Sequence, residues 1–193
     1  MTLGKCLLPP SADQGEDLGS ARFHGSRAIP LQFAVKNMKL SAHFALRTLT
    51  PSDTARMRRI ENRPPLRLMK NLTHLARSLD AVQALLHHPL EISSGFRSPA
   101  LNREIGGSRT SHHTLGFAVD FTCKKFGSPF QVCRRIACST MPFDQLIYEF
   151  GNRPDGGWIH ISFAGSARRR IMTICLGRQG YRRGLHRSLK LIT

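Results

Sequence analysis

Acidic residues are scarce. The 193-residue chain sets 12 Asp and Glu against 29 Lys and Arg, for a formal net charge of +17 and a pI near 11.1. A field of that sign attracts polyanions such as nucleic acid, anionic lipid and the phosphate-rich polymers of cell envelopes, without choosing among them. Aromatics are thin where the charge is densest. From Arg168 to Lys190 stand eight Lys or Arg, no Asp or Glu, and one aromatic, Tyr181. No stacking platform and no groove-insertion motif is readable there, so specific nucleic-acid binding is not expected. Long apolar runs are absent as well: none approaches the roughly 18 residues of a membrane span. Near the N-terminus, Cys6-Leu7-Leu8 is ended by Pro9-Pro10, shorter than the about 7–15 residues of a secretory h-region. No signal peptide is read, so a target outside the membrane requires another delivery route. The cysteines (Cys6, Cys123, Cys133, Cys138 and Cys175) are odd in number and form no C-x-x-C pair. That pattern argues against a disulfide framework and for reduced, mostly buried thiols.

What remains is a chain with 40% apolar residues and eleven Phe, enough for one globular domain. Residues 1–37 lack periodicity and read as a loosely ordered extension. The domain is expected over 38–175, and a basic C-terminal tail over 176–193. Thr50-Pro51-Ser52-Asp53 is turn or cap material. After Pro64-Pro65, the residues Leu66, Met69, Leu72, Leu75, Ala76, Leu79, Val82 and Leu86 recur at helical steps, which predicts a helix with those side chains in the core. Ser128-Pro129 signals a second helix start. Short strands are expected near 91–96, 117–122, 146–150, 158–163 and 170–175. Helices first and strands later, joined by short links, predict an α+β fold with helices packed on a small antiparallel sheet.

Chemistry concentrates in Ser111-His112-His113-Thr114-Leu115-Gly116-Phe117-Ala118-Val119-Asp120 and in Trp158-Ile159-His160. A hydrolytic zinc site takes three imidazole or carboxylate ligands at about 2.0–2.2 Å and keeps one position open. A His on a loop entering a strand, an Asp in that strand and a His on a neighbouring strand can meet at one metal, provided the loop turns at Gly116. Trp158 and His160 share one strand face. The blander reading is a buried His–Asp hydrogen-bond network.

The pattern Ser-x-His-x-x-Gly-x-Ala-x-Asp followed by Trp-x-His resembles peptidase family M15, the zinc D,D-carboxypeptidase and endolysin group, especially its phage-type members. Ser94-Gly95-Phe96-Arg97-Ser98-Pro99-x-Leu101-Asn102, Ile105-Gly106-Gly107-Ser108 and Asp144-Gln145-Leu146-Ile147-Tyr148-Glu149 resemble it too. The resemblance covers roughly residues 38–175 and implies the zinc D,D-peptidase, Hedgehog-like fold. It implies that His113, Asp120 and His160 bind Zn2+, that Arg97 and Ser111 bind substrate, and that the substrate is a peptidoglycan stem peptide. Trp158 either walls the pocket or is plain core, and Arg97 could instead pair with a structural carboxylate. Many relatives carry an acid three positions before the last His, where this chain has Gly157. Glu149, with Asp155 as substitute, is therefore the expected general base. His112 is expected to face away from the ligands. Two other readings stand beside this one. The first is a zinc-containing cell-wall-binding module with weakened catalysis, whose basic surface holds anionic envelope polymers. The second is a nucleic-acid binder using charge alone.

Overall fold

The structure, a computed structural model, describes residues 37–177 and 179–187. The extension expected over 1–37 lies outside these residues except for Asn37, as do Cys6, Arg178 and positions 188–193.

Local sequence sets the helices. Ser52 caps α1 (Asp53–Met57) by accepting from the Ala55 amide. A 3-10 turn, Leu66–Leu68, leads into α2 (Met69–Leu86), whose Leu72, Leu75, Ala76, Leu79, Val82 and Leu86 are buried. Leu66, expected in that stripe, is instead 85% exposed. It sits in a turn of three residues rather than 3.6, which rotates it off the apolar face. His87 closes α2 in the left-handed conformation, and Pro89 follows as a helix stop. Ser98 caps α3 (Pro99–Glu104), a helix too short to show periodicity. Ser128 and Gln131 form a reciprocal capping box at the start of α4 (Pro129–Ala137).

Six strands follow or interleave: β1 (Glu91–Ser94), β2 (Ala118–Thr122), β3 (Gln145–Glu149), β4 (Trp158–Ser162), β5 (Arg170–Ile174) and β6 (Arg182–Arg183). They form one sheet in the order β1-β2-β4-β3-β5-β6. The α+β class is as expected, but the sheet is mixed rather than purely antiparallel, because β5 pairs with β3 in parallel. Both edges of β4 are already taken by β2 and β3. The chain leaving β4 must therefore cross to the free edge of β3, and running back against β4 makes it parallel to β3. Part of the expected basic tail also joins the sheet, since β6 pairs with β5.

The sheet has two unlike faces. Val119, Phe121, Leu146, Tyr148, Ile159 and Ile161 point into the core shared with α2 and α4. Alternation sends Asp120, Ile147, Glu149, Trp158 and His160 to the other face. Register there aligns one row across all six strands: Ser94, Asp120, His160, Ile147, Met172 and Arg183. No described helix is long and apolar enough to cross a membrane. Among the described cysteines, Cys123, Cys133 and Cys138 are free thiols.

Candidate metal centre

Asp120 and His160 are cross-strand partners on β2 and β4, which sets their side chains together. His113 arrives from the turn before β2. Gly116 reverses the chain there at φ 72°, its amide donating to the His113 carbonyl. The three side chains are buried, and one ligand atom from each lies within 4.8 Å of the others. The set is tighter than that limit: His113 Nε2 is 3.1 Å from Asp120 Oδ1 and 3.1 Å from His160 Nδ1, and His160 Nδ1 is 3.0 Å from Asp120 Oδ1.

The donors fit a divalent cation. His113 Nδ1 lies 2.7 Å from the Gly95 carbonyl oxygen. A carbonyl only accepts, so Nδ1 carries the proton and Nε2 presents a lone pair to the other two atoms. Three basic atoms this close share either a proton or a cation. Their spacing is near the roughly 3.3 Å that separates ligands held tetrahedrally at about 2.0–2.1 Å. Burial alone would raise the Asp120 carboxyl, but the two imidazoles outweigh it and hold the group far below the usual carboxylate range.

Arg97 lies in the loop between β1 and α3 and pairs there with a carboxylate, that of Asp120 in this centre. Its Nη2 donates to Asp120 Oδ2, the oxygen turned away from the histidines, and its Nε donates to Ser94 Oγ at 2.9 Å. Nη1 has no hydrogen-bond partner among the described residues. Gly95 lets the Leu49 backbone pack closely on this segment, because a Cβ there would lie 2.3 Å from the Leu49 carbonyl oxygen. The Ser94 hydroxyl and Gly95 carbonyl were not singled out from the sequence. Their only signal was membership in the motif around Arg97.

Glu149 closes β3 opposite Trp158 on β4. Trp158 Nε1 donates to Glu149 Oε2 at 2.9 Å, while its half-buried ring lies against Phe150 and beneath the Arg153 guanidinium. Burial, reinforced by the negative charge of Asp120, raises the Glu149 carboxyl above the ordinary glutamate range. Asp155 is placed differently. It is exposed on the β3–β4 loop, where its Oδ1 accepts from the Gly157 amide and from Arg153, and these contacts lower its pKa.

Gly157 now has a steric explanation. It adopts φ 70°, and a Cβ there would stand 1.9 Å from the Glu149 carbonyl oxygen. No acid fits at this position on this backbone.

Ser111 is half-buried, and its hydroxyl has no hydrogen-bond partner among the described residues. His112 turns from the ligand set toward Ser162 Oγ, at 3.0 Å, and Asp144, at 3.5 Å. Asp144 is buried and also clasped by Arg168 at 2.5 and 2.8 Å, so this second polar group ties β3 to the segment before β5.

No curated protein matches the chain. The family model for peptidase M15 does, over residues 42–162, which takes in all three members of the His–Asp–His set together with Arg97, Ser111, Glu149, Trp158 and the loop between β3 and β4. That is more than half of the chain, and the protein belongs to the M15 peptidases, a family of metallopeptidases.

Proposed function

We propose that the protein is a zinc-dependent peptidase of peptidoglycan stem peptides, acting as a D-Ala-D-Ala carboxypeptidase or as an endopeptidase. The observation that carries this reading is the placement of Glu149. Its carboxylate shares the sheet face of Asp120 and His160, one alternation step along β3 from the residue opposite His160. Two imidazoles and one carboxylate suit zinc, which leaves a fourth position open in catalytic sites. When bound, the ion supplies Lewis acidity, making water a nucleophile near neutral pH and polarising a carbonyl.

The chain's own residues divide the remaining work. Trp158 fixes Oε2 of Glu149, leaving Oε1 to take a proton from the attacking water and deliver it to the leaving amine. Raised basicity suits that role, because an ordinary glutamate would hold the proton too weakly to pass it on near neutral pH. The free Nη1 edge of Arg97 offers a charge-assisted hydrogen bond to a substrate carboxylate, and the unengaged Ser111 hydroxyl offers one to the peptide backbone. Trp158 forms the apolar wall beside Glu149. Asp155, held outward by Arg153 and the Gly157 amide, is the poorer candidate for the base. The basic surface favours encounter with anionic cell envelopes.

Digestion of purified muropeptides with zinc added, followed by mass spectrometry, tests the reading and identifies the bond. Release of D-Ala or of a new amine, abolished by chelator, is expected. Zinc-loaded protein that binds peptidoglycan without any turnover would instead favour the wall-binding module that the glycine at position 157 suggests.

A further inference from the structure

The cationic surface is not uniform on the face that carries the metal centre. A groove of about 790 Å³ opens along β5 and β6, lined by Arg168, Arg169, Arg170, Met172, Tyr181 and Arg183 among others. Two of its four arginines are committed. Arg168 is bound to Asp144, and Arg169 donates to the carbonyls of Met141, Ala137 and Ser139 while stacking on Phe143. Arg170 and Arg183 are exposed, and their guanidinium groups have no hydrogen bond or ion pair among the described residues.

Register places both on the catalytic face. Arg183 pairs with Met172, Met172 with Ile147 and Ile147 with His160, so Arg183 ends the row that contains the ligands. Arg170 pairs with Gln145, which pairs with Ser162, in the adjoining row. Arg182 pairs with Thr173 and points to the opposite side. Tyr181, two residues before Arg183, lines the same groove. Its phenol is within electrostatic reach of Glu149 and Asp120, whose charges add to burial in raising its pKa. Arg170, Met172 and Arg183 of the groove thus share the sheet face of the metal centre, with β3 between β5 and the ligand strand β4.

We propose that Arg170 and Arg183 form a substrate subsite that binds a carboxylate of the peptide two to four residues from the scissile bond. This rests on the peptidase reading above. Three strand spacings separate His160 from Arg183, roughly 14 Å, which an extended peptide spans in about four residues. The reach of an arginine side chain shortens that interval. Two guanidinium forks match one carboxylate by charge and geometry. In a stem peptide joined through the γ-carboxyl of glutamate, the free α-carboxylate is an anion at this remove from a terminal D-Ala-D-Ala bond. Met172 and Tyr181 supply the apolar floor and wall between the two ends.

The test compares two fluorescein-labelled stem pentapeptides, with the glutamate α-carboxyl free or amidated, on the full zinc-loaded chain. Wild type is expected to show a KM about tenfold lower for the free acid at similar kcat. Arg183→Gln and Arg170→Gln should each erase most of that difference, while Arg183→Lys retains part of it. Lys125→Gln, an equal loss of charge elsewhere on the surface, should leave it intact. Equal KM for the two peptides in wild type, or an equal loss in the Lys125 variant, overturns the subsite and leaves the peptidase standing. Anisotropy of the same peptides separates the opposite case. If neither is cleaved but the acid binds tighter, and Arg183→Gln removes that preference, the subsite stands and the peptidase reading falls. Retention of polyphosphate or DNA through these arginines, with no preference between the peptides, also overturns the subsite.

Discussion

The Gly95 carbonyl oxygen sits 2.7 Å from His113 Nδ1 and so decides which nitrogen of that ring is basic. A main-chain acceptor at the exit of β1 thereby orients a side chain that belongs to the turn before β2. Such an outer partner fixes both the tautomer and the ring plane of a ligand.

His113→Ala should abolish metal binding. Zinc-treated wild type is expected to carry about one ion per chain by elemental analysis and to melt at higher temperature than its chelated form, since a ligand bound only to the folded state stabilises it. The variant should show neither effect. An unchanged metal content would exclude the His113–Asp120–His160 set as the site.

Arg97→Gln should weaken metal affinity by about 10–100-fold, the usual effect of removing the partner of a ligating carboxylate. The change frees Asp120 Oδ2 from its ion pair and lets the carboxylate rotate. Competition with a chelator of known affinity measures it. If Arg97 also anchors substrate through Nη1, KM rises further at saturating zinc, so the two roles separate experimentally.

Glu149→Gln should leave metal content unchanged and lower kcat by about 10²–10⁴-fold, the range for loss of a positioned acid–base group. The pH profile gives an independent check. A base must be deprotonated to act, and burial together with Asp120 raises the Glu149 carboxyl. Activity should therefore rise with pH through a value above the ordinary 4.5 of glutamate. In the Gln variant the residual rate should lose that acidic limb. A limb at or below 4.5 would assign it to another group.

Gly157→Ala should destabilise the fold by about 2 kcal/mol or more, combining the cost of a left-handed non-glycine residue with overlap against the Glu149 carbonyl. Urea unfolding measures this. Gly157→Asp should do no better, and it should not restore activity to the Glu149→Gln protein.

The strands around the ligands were legible because each alternates apolar and polar residues, as in Trp158-Ile159-His160-Ile161, and α2 because its buried residues hold helical steps through five turns. What escaped was non-local or very short. The parallel pairing of β5 with β3 depends on β4 having no free edge, which no local pattern records. Helix α3 carries the same Ser-Pro start as α4 but spans only Pro99–Glu104, too few residues for a periodic signal. The convergence of His113, Asp120 and His160 could be anticipated from residue type and spacing, and their candidate role as ligands from the resemblance. The ion pair of Arg97 with Asp120 could not, because 23 positions and a change of strand lie between them. Resemblance raised Gly157 as a missing acid; only the backbone position of Glu149 explains why glycine stands there.

Asp120 and His160 come from strands with neighbours on both sides, whereas Arg183 rides on a two-residue strand at the margin. Fraying at a sheet begins at such margins. The row is therefore built like a pair of pliers with a forged pivot and a replaceable tip. Substitutions at Arg183 are thus expected to leave the pairing of Asp120 with His160 intact.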